Sequence, residues 1–161
     1  VSIRAAVITV SDRSASGERV DASGPVAVAA LRDAGYECDE AVIVSDGAES
    51  VERALSAFVE AGTRLIVTTG GTGVGPRDET PEGTSRVLTR LVPGVAEELR
   101  RRGAAEKPAG MLTRGLAGVV DPHGAFIVNL PGSPAGVASG MPVVLSVAGH
   151  ILDQVGGGDH A

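Results

Sequence analysis

Apolar and polar positions alternate along this chain in blocks that switch between strand and helix periods. Ile3 to Val10 is a continuous apolar, β-branched run and predicts a strand. Ser11 to Asp21 is polar and contains glycine, so it reads as a loop of a length that suits function. Ser23 is a candidate N-cap with Pro25 in the first turn, and Val26 to Ala34 predicts a helix stopped by Gly35. Tyr36 to Val44 predicts a second strand, and Ser45-Asp46-Gly47 a turn. From Ala48 to Ala61, Val51, Leu55, Phe58 and Val59 recur at helical spacing, with Gly62 closing the helix. Leu65 to Thr68 is short and wholly apolar until its end, the pattern of a central parallel strand covered on both faces.

The second half continues the alternation. Thr80-Pro81-Glu82 predicts an N-cap followed by proline, opening a helix to about Leu91. Val92-Pro93-Gly94 breaks it, and Val95 to Arg102 forms another. Gly115 to Val120 and Ala125 to Leu130 flank Asp121-Pro122-His123-Gly124, which predicts a hairpin. Pro131-Gly132-Ser133-Pro134 then leads into a last helix ending near Val155, and 156–161 reads as a frayed tail. Repeated βαβ units predict an α/β fold: a three-layer sandwich, a mainly parallel sheet with helices on both faces, in one domain over 1–155. Ligands of such sheets bind beyond the carboxyl ends of the strands. Ser11-Asp12, Ser45-Asp46, Thr69-Gly70-Gly71-Thr72-Gly73 and Pro131-Gly132-Ser133 all leave predicted strand ends, so all four are expected on one edge.

Composition narrows the function. The length, 161 residues, suits a single core, and apolar residues make up 43% of it. Aromatics are 2% and the formal charge is −6, which argues against stacking on nucleic-acid bases and against a basic nucleic-acid face. The cluster Arg100-Arg101-Arg102 is either a local anion contact or the solvated end of a helix. The single Cys38 excludes an intrachain disulfide, fits a reducing compartment, and reads as a small buried residue. No stretch is expected to span a membrane, no signal pattern opens the chain, and a cytoplasmic location is expected. The sequence begins at Val1 without Met, so a few preceding residues are expected.

The chemistry concentrates in the glycine loop. A strand ending in glycines presents backbone N–H groups to an anion, and Thr68, Thr69 and Thr72 add hydroxyls. The loop lacks the Gly-Lys-Ser/Thr of a P-loop and does not open directly into a helix as a dinucleotide fingerprint does. By itself it is equally a tight strand exit. Pro76-Arg77-Asp78 follows: Arg77 is a fork for phosphate, and Asp78 a carboxylate for Mg²⁺ completed by substrate phosphates, or the two form a local surface pair. Asp46 is the second carboxylate, either a helix N-cap or a partner of Asp78 on a divalent ion. His123, His150 and His160 have no metal-ligand spacing and no acyl-transfer triad is in evidence.

These motifs together resemble the MogA/MoaB family of molybdenum cofactor biosynthesis, which includes the gephyrin G domain. The resemblance rests on Thr69-Gly70-Gly71-Thr72-Gly73 with Pro76-Arg77-Asp78 and Thr80-Pro81-Glu82. It extends through Val10-Ser11-Asp12, Asp21-Ala22-Ser23-Gly24, Pro93-Gly94-Val95-Ala96-Glu97 and Leu130-Pro131-Gly132-Ser133-Pro134. It implies a molybdopterin-binding fold, a homotrimer, and transfer of AMP from Mg-ATP to the molybdopterin phosphate with release of pyrophosphate. It implies Asp46 and Asp78 as the catalytic, metal-holding pair, Gly70 to Gly73 as the phosphate cradle, and Ser11 and Asp12 near the nucleotide. Thr113, Arg114 and Ser133 are implied to hold the pterin dithiolene and its phosphate. Thr113 and Gly115 depart from the family's Ser-Arg-Ser, and Val95 and Ala96 from its Phe-Gly. The competing expectations are a module that binds molybdopterin without transfer, and an unrelated phosphate-binding α/β domain. Whether a molybdenum-insertion partner docks on the chain is left open.

Overall fold

The computed structural model describes residues 2–158. Among them, seven strands form one sheet in the order β2-β1-β4-β7-β6-β5, with β3 also paired to β1. The strands are β1 (Arg4–Val10), β2 (Glu37–Cys38), β3 (Val42–Val44), β4 (Leu65–Thr69), β5 (Arg90–Leu91), β6 (Ala117–Val120) and β7 (Ala125–Leu130). β2, β3, β1, β4 and β7 run parallel; β6 and β5 complete the other side as antiparallel strands. The helices are α1 (Asp12–Ala15), α2 (Gly24–Asp33), α3 (Ala48–Glu60), α4 (Thr80–Ser85), α5 (Pro93–Glu106) and α6 (Pro134–Val155), with a 3₁₀ helix over Pro108–Leu112.

The sheet is buried on both faces because its central strands are apolar at most positions, with Thr9, Thr68, Thr69 and Asn129 the buried polar exceptions near their carboxyl ends. Val7, Val67, Phe126 and Val128 point into a core shared with α2, α5 and α6. Ile8, Ile66 and Ile127 point the other way, onto Val51, Leu55 and Val59 of α3. With so few aromatics, branched aliphatics supply this core, and Phe126 is its largest fully buried side chain.

Several boundaries differ from the sequence reading. The loop after β1 contains the short helix α1, capped by Ser11, whose Oγ accepts from the Ser14 N–H at 3.2 Å. The segment Tyr36 to Val44 contains two short strands, interrupted at Asp39, Glu40 and Ala41, and both pair with β1. The helix expected to reach Leu91 stops at Ser85; Arg90–Leu91 is instead an edge strand on β6. β6 and β7 form the expected hairpin. Arg100-Arg101-Arg102 does not end its helix, since α5 continues to Glu106. Arg101 and Arg102 pair with Glu98, while Arg100 donates to the carbonyls of Thr113 and Gly115.

One expectation needs correcting on length. α6 has 22 residues and is apolar enough, by length and composition alone, to cross a membrane. Its buried residues Val137, Met141, Val144, Ala148 and Leu152 fall at helical spacing and join the sheet's core, so its apolarity is that of a core helix. Cys38 is buried in β2. Gly156 to Gly158 are held by hydrogen-bonded turns on the end of α6 rather than frayed. The rest of the expected tail, His160 included, lies outside the described residues.

Candidate functional site

Because β1, β3, β4 and β7 are parallel, their carboxyl ends share one edge. Ser11-Asp12, Ser45-Asp46, the glycine loop and Pro131-Gly132-Ser133 all emerge there, as the sequence predicts. Two cavities open on this edge, each of about 470 Å³. One is polar: Ser11, Arg19, Asp46, Thr69, Gly70 and Asp78 are in its wall. The other is largely apolar, with Thr72, Gly73, Leu99, Thr113, Pro131 and Gly140 among its lining. Gly132 and Ser133 line both, so a short backbone segment separates them.

The glycine loop is shaped by three constraints. Gly70 and Gly71 take φ of +92° and +67°, which side chains rarely adopt. A Cβ on Gly70 would lie 2.3 Å from the Val10 carbonyl oxygen, and one on Gly71 would meet the Thr80 hydroxyl at 2.2 Å. Thr80 locks the loop: its N–H donates to the Gly71 carbonyl at 3.0 Å and its hydroxyl to the Gly70 carbonyl at 2.8 Å. Two of the threonine hydroxyls expected at the ligand are engaged inside the protein. Thr68 Oγ1 accepts from Asn129 Nδ2 at 2.9 Å, and Thr69 Oγ1 lies 2.9 Å from Ser23 Oγ.

Asp46 and Asp12 hold one another. The Asp12 N–H donates to Asp46 Oδ2 at 3.0 Å, and the Asp46 N–H donates to Asp12 Oδ1 at 3.1 Å. Asp46 is not the cap of α3. Gly47 occupies that position, and the Ala48 N–H is satisfied by Glu79 Oε2 at 3.0 Å. Asp46 therefore keeps its other oxygen toward the glycine loop, 3.3 Å from where a Gly71 Cβ would sit. Burial pushes its carboxyl above the usual range, opposed by the Asp12 N–H and reinforced by the charges of Asp12 and Asp78. Asp78 shares the cavity and accepts from the Gly75 N–H at 2.9 Å through Oδ2.

Arg77 does not pair with Asp78. Its Nε and Nη2 fork the two oxygens of Asp12 at 3.1 Å each, and Nη2 also donates to the Asp46 carbonyl at 3.0 Å. That fork holds the Asp12 carboxyl below its ordinary range. Arg77 and Asp12 thus brace the back of the polar cavity, whose wall they do not form. Arg114 is similarly occupied. Its Nε donates to the Gly73 carbonyl, Nη2 to the Asp78 carbonyl, and both Nη atoms to Glu82. Ser133 caps α6, its Oγ accepting from the Gly136 N–H at 3.1 Å.

Sequence reasoning missed the supports. Asn129 is buried and donates to the hydroxyls of both Thr68 and Thr84 while accepting from the Leu116 N–H. Its signal was a lone amide near the end of an apolar strand. Asp21 accepts from Thr9 Oγ1 at 2.7 Å and from the Gly24 N–H at 3.0 Å, fastening the loop that carries Arg19 and Val20 across the polar cavity. Among the described residues no buried side-chain polar atom lacks a partner.

Comparison with known proteins decides the family. The family model described as "Probable molybdopterin binding domain" matches residues 6–150. The chain belongs to the MogA/MoaB family of molybdopterin-binding proteins. It is 38% identical over 156 residues to a "Molybdenum cofactor biosynthesis bifunctional protein" of Synechococcus elongatus, covering 97% of this chain and 48% of that one. The chain thus spans about half the length of the first curated relatives it matches. A "Molybdopterin adenylyltransferase" of Pyrococcus furiosus is 36% identical, with 91% of this chain and 87% of that protein covered. Among solved structures, the molybdopterin biosynthesis Mog protein of Mycobacterium ulcerans superposes with a TM-score of 0.89 at 42% identity, covering 96% of this chain and 99% of that chain.

Proposed function

We propose that this member of the family is a molybdopterin adenylyltransferase, acting as a cytoplasmic homotrimer. The observation that carries the reading is the pair of adjoining cavities, one polar and containing Asp46 and Asp78, the other apolar, that share Gly132 and Ser133 in their walls. The apolar cavity suits the pterin, and the polar one the triphosphate of ATP. Their shared wall is where the phosphate of one substrate meets the α-phosphorus of the other. An oxygen of the molybdopterin phosphate forms the new P–O bond, the bond between the α-phosphorus and its bridging oxygen breaks, and pyrophosphate leaves with that electron pair. The nucleophile is already ionised, so the site needs positioning and charge neutralisation more than a general base. Among the described residues no histidine lines either cavity.

Asp46 and Asp78 fit a magnesium ion. They are two carboxylates on one cavity, and the charge of each neighbour disfavours ionisation of Asp46. Among the described residues no group of three or more His, Cys, Asp and Glu is arranged for a metal, so any ion here would need substrate phosphates to complete its shell. When bound, magnesium would neutralise the phosphate oxygens. The Gly70 amide is already given to the Leu130 carbonyl at 3.1 Å, so the amides that follow it in the glycine loop, with the Gly70 and Gly71 backbone held by Thr80, would line the phosphates.

A second reading, a module that binds molybdopterin without transferring AMP, draws on charge. The polar cavity is lined by Asp21, Asp46 and Asp78 against Arg19 alone, a net repulsion for a nucleotide without a cation. Calorimetry separates the readings. Binding of ATP that requires Mg²⁺, with formation of adenylylated molybdopterin, is expected. No heat with Mg-ATP, even in the presence of molybdopterin, would favour the module.

A further inference from the structure

We infer that Arg114 is a positioning residue, a clamp that holds the Asp78 loop against the apolar cavity, and not a ligand of the molybdopterin phosphate. The inference rests on the adenylyltransferase reading for its kinetic part only.

A guanidinium has five N–H donors in a fixed planar fork. Arg114 directs four of them into the protein. Nε donates to the Gly73 carbonyl at 2.8 Å. Nη1 donates to Glu82 Oε2 at 2.7 Å. Nη2 donates to the Asp78 carbonyl at 2.7 Å and to Glu82 Oε1 at 3.2 Å. A two-point grip on phosphate needs adjacent free N–H groups. One donor remains, so a forked phosphate contact would require breaking the present bonds. Its charge is likewise engaged, because Glu82 faces it and is held below its ordinary pKa by that contact. Arg114 is also absent from the lining of either cavity, although its neighbours Thr113 and Gly115 line the apolar one.

The bonds it does make define its action. Gly73 and Asp78 bracket the turn Gly73–Asp78, and Arg114 grips the carbonyl at each end of it. The Arg114 N–H adds a bond to the Thr72 carbonyl at 2.8 Å. Within the turn, the Gly75 N–H donates to the Asp78 carboxylate and the Asp78 N–H donates to the Gly75 carbonyl. Glu82 lies on α4, so the same guanidinium ties β6's approach segment, the turn and α4 together. Loosening it lets the Asp78 carboxylate drift in the polar cavity, whereas the apolar cavity keeps most of its wall, which comes from α5, the 3₁₀ helix and the start of α6, with Gly73 and Val74 its only residues from the turn.

The test compares the parent with Arg114→Ala, Arg114→Lys and Glu82→Gln. Molybdopterin affinity, read by titration, is expected to stay within about twofold of the parent in all of them. The kcat for Mg-ATP-dependent transfer is expected to fall about 100-fold in Arg114→Ala, the scale of a misplacement near one ångström. Lysine, lacking the fork, restores little of it, and Glu82→Gln falls by a smaller factor. Hydrogen exchange at the Gly75 and Asp78 amides is expected to quicken in Arg114→Ala. A tenfold or greater loss of molybdopterin affinity with these amides still protected would overturn the inference in favour of a ligand role. Unchanged exchange and unchanged kcat would overturn it as well. If the parent itself transfers no AMP, the adenylyltransferase reading falls, and exchange at the two amides still decides the clamp. Should Arg114→Ala not fold, Glu82→Gln carries the same exchange and affinity outcomes.

Discussion

The two cavities differ in how they are built, and the difference separates two kinds of sequence information. The polar cavity is a product of strand ends. Its residues come from four loops that a parallel sheet must bring to one edge, and each loop carries its own glycine, serine or aspartate. The apolar cavity is a product of packing between helices. It depends on α5 crossing the 3₁₀ helix, where the Gly110 backbone lies so close to Gly103 that a Cβ would sit 2.2 Å from a carbonyl carbon. One wall is topology; the other is contact.

The largest expected effect falls on the polar side alone. Asp78→Asn should lower Mg-ATP-dependent adenylylation by about 10³-fold, the scale of losing a charge-stabilising group. An asparagine oxygen can still accept from the Gly75 N–H, so the melting temperature should stay near that of the parent. Full turnover by this variant would remove Asp78 from the site. Next comes the glycine loop. Gly70→Ala combines a positive φ with a Cβ 2.3 Å from the Val10 carbonyl. A loss of about 3 kcal/mol is expected, or roughly 6–12 °C in Tm. A thermal scan showing no change would mean that the loop relaxes freely. Gly110→Ala addresses the apolar side: a cost of about 2 kcal/mol from overpacking, weaker molybdopterin binding and unaltered Mg-ATP binding. Equal losses of both ligands in calorimetry would show that the cavities are not separable.

Two smaller effects sharpen the electrostatics. The Asp46 carboxyl is raised in the folded protein, so its favourable contribution is complete below the unfolded value near 3.8 and lost as pH rises through the folded one. At pH 7 the ionised group is a cost. Asp46→Asn should therefore melt slightly higher than the parent at pH 7, the effect being damped because the group is largely solvent-screened, with the gap closing near pH 3. Glu98 is the opposite case, lowered to about 2 by hydrogen bonds from Arg101 and Arg102. Its contribution is present above the unfolded value near 4.5 and lost as pH falls through 2. The group is exposed, so Glu98→Gln should change Tm only slightly at neutral pH, and the difference should vanish in acid.

What the sequence made legible follows the same division. Alternating blocks give the sheet and its central strand Leu65–Thr69, because burial on both faces leaves an unbroken apolar run. Strand direction then places Asp46, Asp78, the glycine loop and Ser133 on one edge without any knowledge of side-chain geometry. Partner choice is not encoded that way. Arg77 stands beside Asp78 in sequence yet forks Asp12, 65 positions away, because the turn between Gly75 and Asp78 aims the two side chains apart. Asp46 looks like a helix cap, and only Glu79, arriving from α4's approach, relieves it of that duty. Arg90–Leu91 is two residues long and its strand identity comes from β6, so local pattern held no trace of it.

The hairpin turn at Gly124 lies at the other end of the sheet and has its own consequence. Arg64, at the start of β4, donates to the carbonyls of Gly124 and Leu152, and its N–H donates to the Arg4 carbonyl. Those bonds gather the first strand's beginning and the last helix's end into one corner, away from the loops that line the two cavities. Linkers attached at residues 2 and 158 would leave from that corner. That corner is the amino-terminal edge of the parallel strands, opposite the edge on which the two cavities open.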